Sequence, residues 1–212
     1  MNEVVKKGLF SRIAMPLMVL IFIAPMGAAW VVYNYFPDTV RSLGSSNNGE
    51  FVIPPAKVSV GGYTDIDNQT MPVDYFDKNW SYVYIRQACD ANCLEHLLLI
   101  KNVRLTQGKE ISRLRRLLVL TSDSVDDALR EQLKRYAGMQ TLVLTDAQQR
   151  EAFLSAFRFK GNPSPETAGH VYIVDPDGML MMYYKNQKEI LKLGKSMQKD
   201  MSKLMHNSVL RK

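Results

Sequence analysis

The sequence predicts an α/β sandwich built on a mixed sheet and preceded by a single apolar helix. Three observations predict it. Residues 13–36, "IAMPLMVLIFIAPMGAAWVVYNYF", hold no charged side chain and exceed the roughly 20 residues that a bilayer-spanning helix needs. From residue 80 onward, β-branched and aromatic runs alternate with amphipathic stretches, the pattern of strands joined by helices. Near the end, "VYIVDPDGMLMMYY" places Asp-Pro-Asp-Gly between two apolar runs, which is hairpin chemistry.

Taken in order, residues 1–12 carry Lys6, Lys7 and Arg12 ahead of the apolar run, while only Arg41 closely follows it. The positive-inside rule then keeps the N-terminus in the cytoplasm and exports the remainder. Pro16 and Pro25 are tolerated in such a span, and Trp30, Tyr33 and Tyr35 suit an interfacial aromatic belt. A cleaved signal peptide with "GAA" at 27–29 is the competing reading, but the apolar run continues beyond it, so an uncleaved anchor over 13–36 is favoured. In a bacterial-type cell this is a single-pass protein of the inner membrane with its C-terminal domain in the periplasm, where cysteines meet an oxidising environment.

Residues 37–50, rich in Ser, Asn and Gly, read as a linker. The exported domain then spans 51–212. Its first stretch, to residue 77, reads as a small hairpin or meander. "WSYVYI" at 80–85 is a buried strand, "CLEHLLLIKNVRLTQ" a helix ending near Gly108, and "RRLLVLT" at 115–121 a second strand. "SDSVDDALREQLKRYAG" is a helix with acids first and bases last, "TLVLT" at 141–145 a third strand, and "DAQQREAFLSAF" a further helix. After the hairpin, 187–210 form the last helix. Met197, Met201 and Met205 recur along it beside Ile190, Leu193 and Leu204, the docking face of an amphipathic helix.

The chain has 212 residues, a net charge of +6 and two cysteines. Its basic residues gather at the two ends and are not interleaved with aromatics, which argues against nucleic-acid binding. A phosphate-cradling glycine loop, and with it a nucleotide site, is not in the sequence.

The chemistry concentrates in "RQACDANCLEH", residues 86–96. Cys89 and Cys93 follow the first buried strand and open a helix, at the sheet edge where ligands of open α/β sheets gather. Spacing of four puts both on one helix face and permits a disulfide. A helix N-terminus favours the thiolate, which serves both disulfide exchange and soft metals such as Cu(I). Of the histidines, His170 is the best candidate third ligand for two thiolates. His96 shares the cysteines' helix face but is carried about 10 Å along the axis from Cys89, and reads as a surface histidine. His206 reads as solvated, Tyr172, Tyr183 and Tyr184 as packing, and Asp175 and Asp177 as turn residues.

The ordered set of anchor, linker, strand "WSYVYI", Cys-x-x-x-Cys, helix, strand "LLVLTSD", helix "ALREQLKRYAG" and hairpin "VYIVDPDG" resembles the Sco/SenC proteins. The resemblance implies a thioredoxin-like fold, copper as Cu(I) or Cu(II) held by Cys89, Cys93 and a distant histidine, and a role in cytochrome c oxidase assembly. It implies as partner an oxidase subunit or another assembly factor. This chain departs from the family in lacking Pro after its first cysteine and in placing Thr167 at the expected histidine position, with His170 three residues later. Two further readings stay open: a thiol–disulfide reductase of copper-ligand cysteines, with Cys89 attacking and Cys93 resolving, and a scaffold without chemistry.

Overall fold

The computed structural model describes residues 3–36, 47–122 and 125–209. The residues read as linker lie outside these over 37–46. Helix α1 runs Glu3–Tyr35 through Pro16 and Pro25. Its stretch Ala14–Tyr35 is long and apolar enough to cross a membrane, and apolar side chains such as Phe22 and Met26 are exposed.

The second unit, from Asn47 onward, is built on a six-stranded sheet: β1 (Glu50–Lys57), β2 (Trp80–Arg86), β3 (Leu114–Leu120), β4 (Gln140–Val143), β5 (Val171–Val174) and β6 (Met179–Tyr184). Strand order is β1-β6-β5-β2-β3-β4. The strands β2, β3 and β4 run parallel, whereas β5, β6 and β1 add antiparallel strands. The parallel strands are linked through α2 (Ala91–Leu105) and α3 (Asp127–Lys134). Helices α4 (Ala147–Ser155) and α5 (Pro165–Ala168) lead to the β5–β6 hairpin, and α6 (Ile190–Val209) ends the chain. The predicted mixed α/β sandwich is the observed architecture.

Local rules set the boundaries. Asp90, Asp126 and Asp146 cap α2, α3 and α4, each carboxylate accepting the N–H three residues on. Asp175 turns the hairpin by accepting from the N–H groups of Asp177 and Met179. The stretch read as a hairpin or meander instead contributes β1, which pairs with β6, leaving a short bridge between Thr64 and Thr70.

Strand parity divides the core. One face of the sheet carries Tyr82, Tyr84, Leu118, Leu120, Val171 and Tyr184, and is covered by α2 and α6. Met197, Met201 and Met205 are fully buried there, so the methionine stripe is packing. The other face carries Val83, Ile85, Tyr172 and Tyr183, covered by Phe153, Leu154 and Phe157 and by the 58–76 stretch.

Candidate redox site at the end of strand β2

β2 ends at Arg86, and the chain turns through Gln87–Asp90 into α2. Asp90 sits at the N-cap in extended backbone (φ −88°, ψ −175°), its Oδ1 accepting from the Cys93 N–H at 2.8 Å. The turn brings the cysteines together, and Cys89 and Cys93 are joined as a disulfide with their Cα atoms 5.1 Å apart. The two sulfurs are unequal. Cys93 has 0% exposure and packs in the core with Leu97 and Ile100. Cys89 is half-buried and borders an open cleft of about 300 Å³ lined also by Gln87, Leu120, Asp126 and Leu129. Arg86 pairs with Asp90 at 3.5 Å across the turn, so the carboxylate that follows Cys89 in the chain is partly neutralised.

Behind the disulfide lie polar side chains that the sequence reading placed elsewhere or passed over. His96 is 1% exposed, a correction to its reading as a surface histidine. Three residues beyond Cys93, it shares the buried face of α2 with Leu97 and Ile100. Its ring stacks on Tyr84 (centroids 5.4 Å apart, planes within 8°). His96 Nδ1 lies 2.9 Å from the Asn92 carbonyl oxygen; because a carbonyl only accepts, Nδ1 carries the hydrogen. Neither His96 Nε2 nor the Tyr84 hydroxyl meets a hydrogen-bond partner among the described residues. Burial pushes the Tyr84 phenol up to about 12, with Arg86 drawing it down and Asp90 pushing it further up.

The α5 turn closes on the same loop. Gln87 N–H donates to the Glu166 carbonyl. Gly169 is left-handed at φ +64°, and a Cβ there would lie 3.0 Å from Asn186 Nδ2 and 3.3 Å from Arg86 Nη1. The left-handed backbone favours glycine here. Thr167 is exposed, its hydroxyl donating to the Ser164 carbonyl.

The structure joins Cys89 to Cys93 but does not bring His170 to them. The His170 ring stacks on Tyr183 (5.4 Å) and lies 6.3 Å from Tyr172, on the sheet face opposite Cys93. Its Nδ1 accepts from the Asn186 N–H at 3.3 Å. Burial lowers its pKa, Lys185 acts the same way, and Glu50 opposes them. His206 is exposed. Among the described residues no three His, Cys, Asp or Glu side chains are grouped to hold a metal ion. With the sulfurs bonded to each other and His170 across the sheet, the residues do not fit a copper centre in this state. What the arrangement supports chemically is exchange at Cys89, with Cys93 as its buried partner.

Comparison with known proteins agrees with the architecture. Solved structures of similar fold include apo Sco1 from Thermus thermophilus, 15% identical over 76% of this chain and 98% of that one, with a TM-score of 0.54. A SCO1/SenC family lipoprotein from Bacillus anthracis is 10% identical over 70% of this chain and 98% of that one, with a TM-score of 0.50. At such identities the likeness is one of fold. No curated protein matches the sequence. A family model described as the transmembrane-like, thioredoxin-like C-terminal domain matches residues 80–208, which include both cysteines and every strand from β2 to β6, and the chain belongs to that family.

Proposed function

We propose that the chain is a membrane-anchored, Sco-type thiol–disulfide exchange protein whose working pair is Cys89 and Cys93. The observation that carries this reading is the inequality of the two sulfurs: Cys89 at an open cleft, Cys93 buried at the start of α2. An attacking thiolate reaches only the outer sulfur. In the oxidised chain it forms a bond to Cys89 Sγ, the Cys89–Cys93 bond breaks, and Cys93 leaves as a thiolate that takes up a proton. In the reduced chain the same steps run backwards. Cys89 attacks a disulfide on the partner and Cys93 resolves the mixed disulfide, so one disulfide is reduced to two thiols as the pair is oxidised.

The helix N-terminus favours the thiolate and the Asp90 charge opposes it, a balance that suits a pair able to run in both directions. The resemblance to Sco/SenC proteins supports a substrate class, the copper-ligand cysteines of a cytochrome c oxidase subunit or of another assembly factor. Lys6, Lys7 and Arg12, ahead of the apolar stretch of α1, support a periplasmic domain on an inner-membrane anchor. Copper, in this reading, is cargo of the partner. Its delivery by this chain would need the reduced thiolates and a third ligand.

The test is equilibration of the full chain, in detergent micelles, with glutathione redox buffers. A reduction potential between about −120 and −270 mV, the span of known exchange proteins, is expected. In the same system Cys93→Ser accumulates a mixed disulfide with glutathione through Cys89, and Cys89→Ser does not. A potential below about −300 mV, that of an inert structural bridge, would sink the reading.

A further inference from the structure

His96 is the one buried histidine of α2, and exchange as described leaves it without a role. Three observations bear on it. The ring is fixed: flat on Tyr84 at 5.4 Å and tied by Nδ1–H to the Asn92 carbonyl at 2.9 Å. Its other nitrogen, Nε2, is therefore a bare lone pair in the neutral ring, buried and without a hydrogen-bond partner among the described residues. Such an atom is destabilising unless it serves something. And His96 stands three residues after Cys93 on the same helix face, which sets their Cβ atoms about 5–6 Å apart.

Cys93 has the complementary need. It is buried at 0% exposure, so when its thiol turns nucleophilic the departing proton has no direct path to water. We propose that His96 Nε2 is the internal proton acceptor for Cys93, an inference that rests on the exchange reading above. In reduced chain facing glutathione disulfide, the Cys89 thiolate attacks one sulfur, and the first glutathione leaves as a thiolate and is protonated from solvent. Cys93 then passes its proton to Nε2, and its sulfur attacks Cys89 Sγ. The mixed disulfide breaks, and the second glutathione leaves as a thiolate that is protonated in turn. The imidazolium formed keeps its Nδ1–H on the Asn92 carbonyl and returns the extra proton to solvent.

The other groups around this site do not fill the role. The Tyr84 phenol, raised to about 12, holds its proton. Arg86 offers donors and no acceptor. Asp90 is engaged by the Cys93 N–H and by Arg86. Glu95 and Lys188 border the cleft beside His96 together with Asn92 and Asn186, and they offer the imidazolium a route to solvent.

Single-turnover oxidation of the reduced full chain by glutathione disulfide tests this, following mixed-disulfide formation and its resolution separately. His96→Gln keeps a donor for Asn92, and His96→Phe keeps the flat ring on Tyr84. In both, resolution slows by about a hundredfold, the scale of general base catalysis. Formation of the mixed disulfide, measured in Cys93→Ser, and the equilibrium potential stay unchanged. Resolution at the wild-type rate in both variants overturns the proposal, as does equal slowing of both steps with a shifted potential, which marks a packing role. Should Cys93→Ser form no mixed disulfide at all, the exchange reading itself fails and this one with it.

Discussion

Tyr84 and Tyr184 stand in one row across the sheet, on the same face, with Val171 between them. Their hydroxyls meet opposite fates. Tyr184 donates to Asp200 at 3.0 Å. That carboxylate, 0% exposed, also accepts from the Asn48 N–H at 2.7 Å, the Asn48 amide at 2.9 Å and the Gly49 N–H at 2.9 Å. Gly49 fits there because it has no Cβ, which would lie 2.7 Å from Met182 Sδ. The Tyr84 hydroxyl, like His96 Nε2, has no hydrogen-bond partner among the described residues. One cluster is saturated and fastens the start of β1 to α6. The other keeps buried polar atoms unpaired near the start of α2. Fully paired burial makes a fold firm, whereas unpaired burial lowers stability and is retained where the atoms have work to do.

The saturated cluster gives the largest expected effect. Asp200→Ala strands two backbone N–H groups and the Tyr184 hydroxyl, at a loss of about 3 kcal/mol in unfolding free energy. Denaturant melts read the loss. The Cys89–Cys93 potential should not follow it, since Asp200 touches neither sulfur. A potential that moved with stability would mean that the two clusters are one unit.

How much of this was legible in the sequence follows from range. The strand "WSYVYI", the two cysteines, the Asp caps and the Asp175 turn are local patterns, and each stands where its pattern says. His96 was legible in part: its spacing from Cys93 puts it on the cysteines' face of α2, but that the face is buried depends on β2 and α6 packing against it. His170 reads well as a ligand by residue type, yet strand parity sets its ring beside Tyr183, away from the sulfurs. Asp200 is the least legible. Its partner Asn48 lies 152 residues away, and an acid amid the lysines of an amphipathic helix reads as solvated. The pairing of β1 with β6 is hidden for the same reason.

A second histidine–tyrosine pair lies across the sheet and gives a smaller effect that appears only with pH. His170 stacks on Tyr183, and burial with Lys185 holds its pKa below the ordinary 6.5. A histidine whose folded pKa is depressed binds more protons unfolded than folded, so its contribution is whole above 6.5 and is lost as pH falls through that value toward the lower folded one. Glu50, also depressed, from 4.5, acts in the same sense at lower pH. Stability should thus rise with pH just below 6.5 in the wild type, and the rise should flatten in His170→Phe, which retains a ring on Tyr183. An unchanged slope would assign the titration to another group.

The smallest effect is the sharpest test of the opening contrast. Tyr84→Phe removes a hydroxyl that has no partner, so the lost oxygen strands nothing, and the ring that carries His96 stays in place. Unfolding free energy should change by less than about 0.5 kcal/mol, with stabilisation the favoured sign, because deleting an unpaired buried polar group relieves its desolvation. The phenol at about 12 stays protonated through the working range, so mixed-disulfide resolution should also hold its rate. A loss above 1 kcal/mol, near the net worth of a hydrogen bond, would show that the hydroxyl is paired, and the two tyrosines of the row would no longer differ. A stable variant with slowed resolution would move the proton path from His96 onto Tyr84. Neither change, with His96→Gln slow, leaves the unpaired His96 nitrogen as the atom through which the Cys93 proton passes.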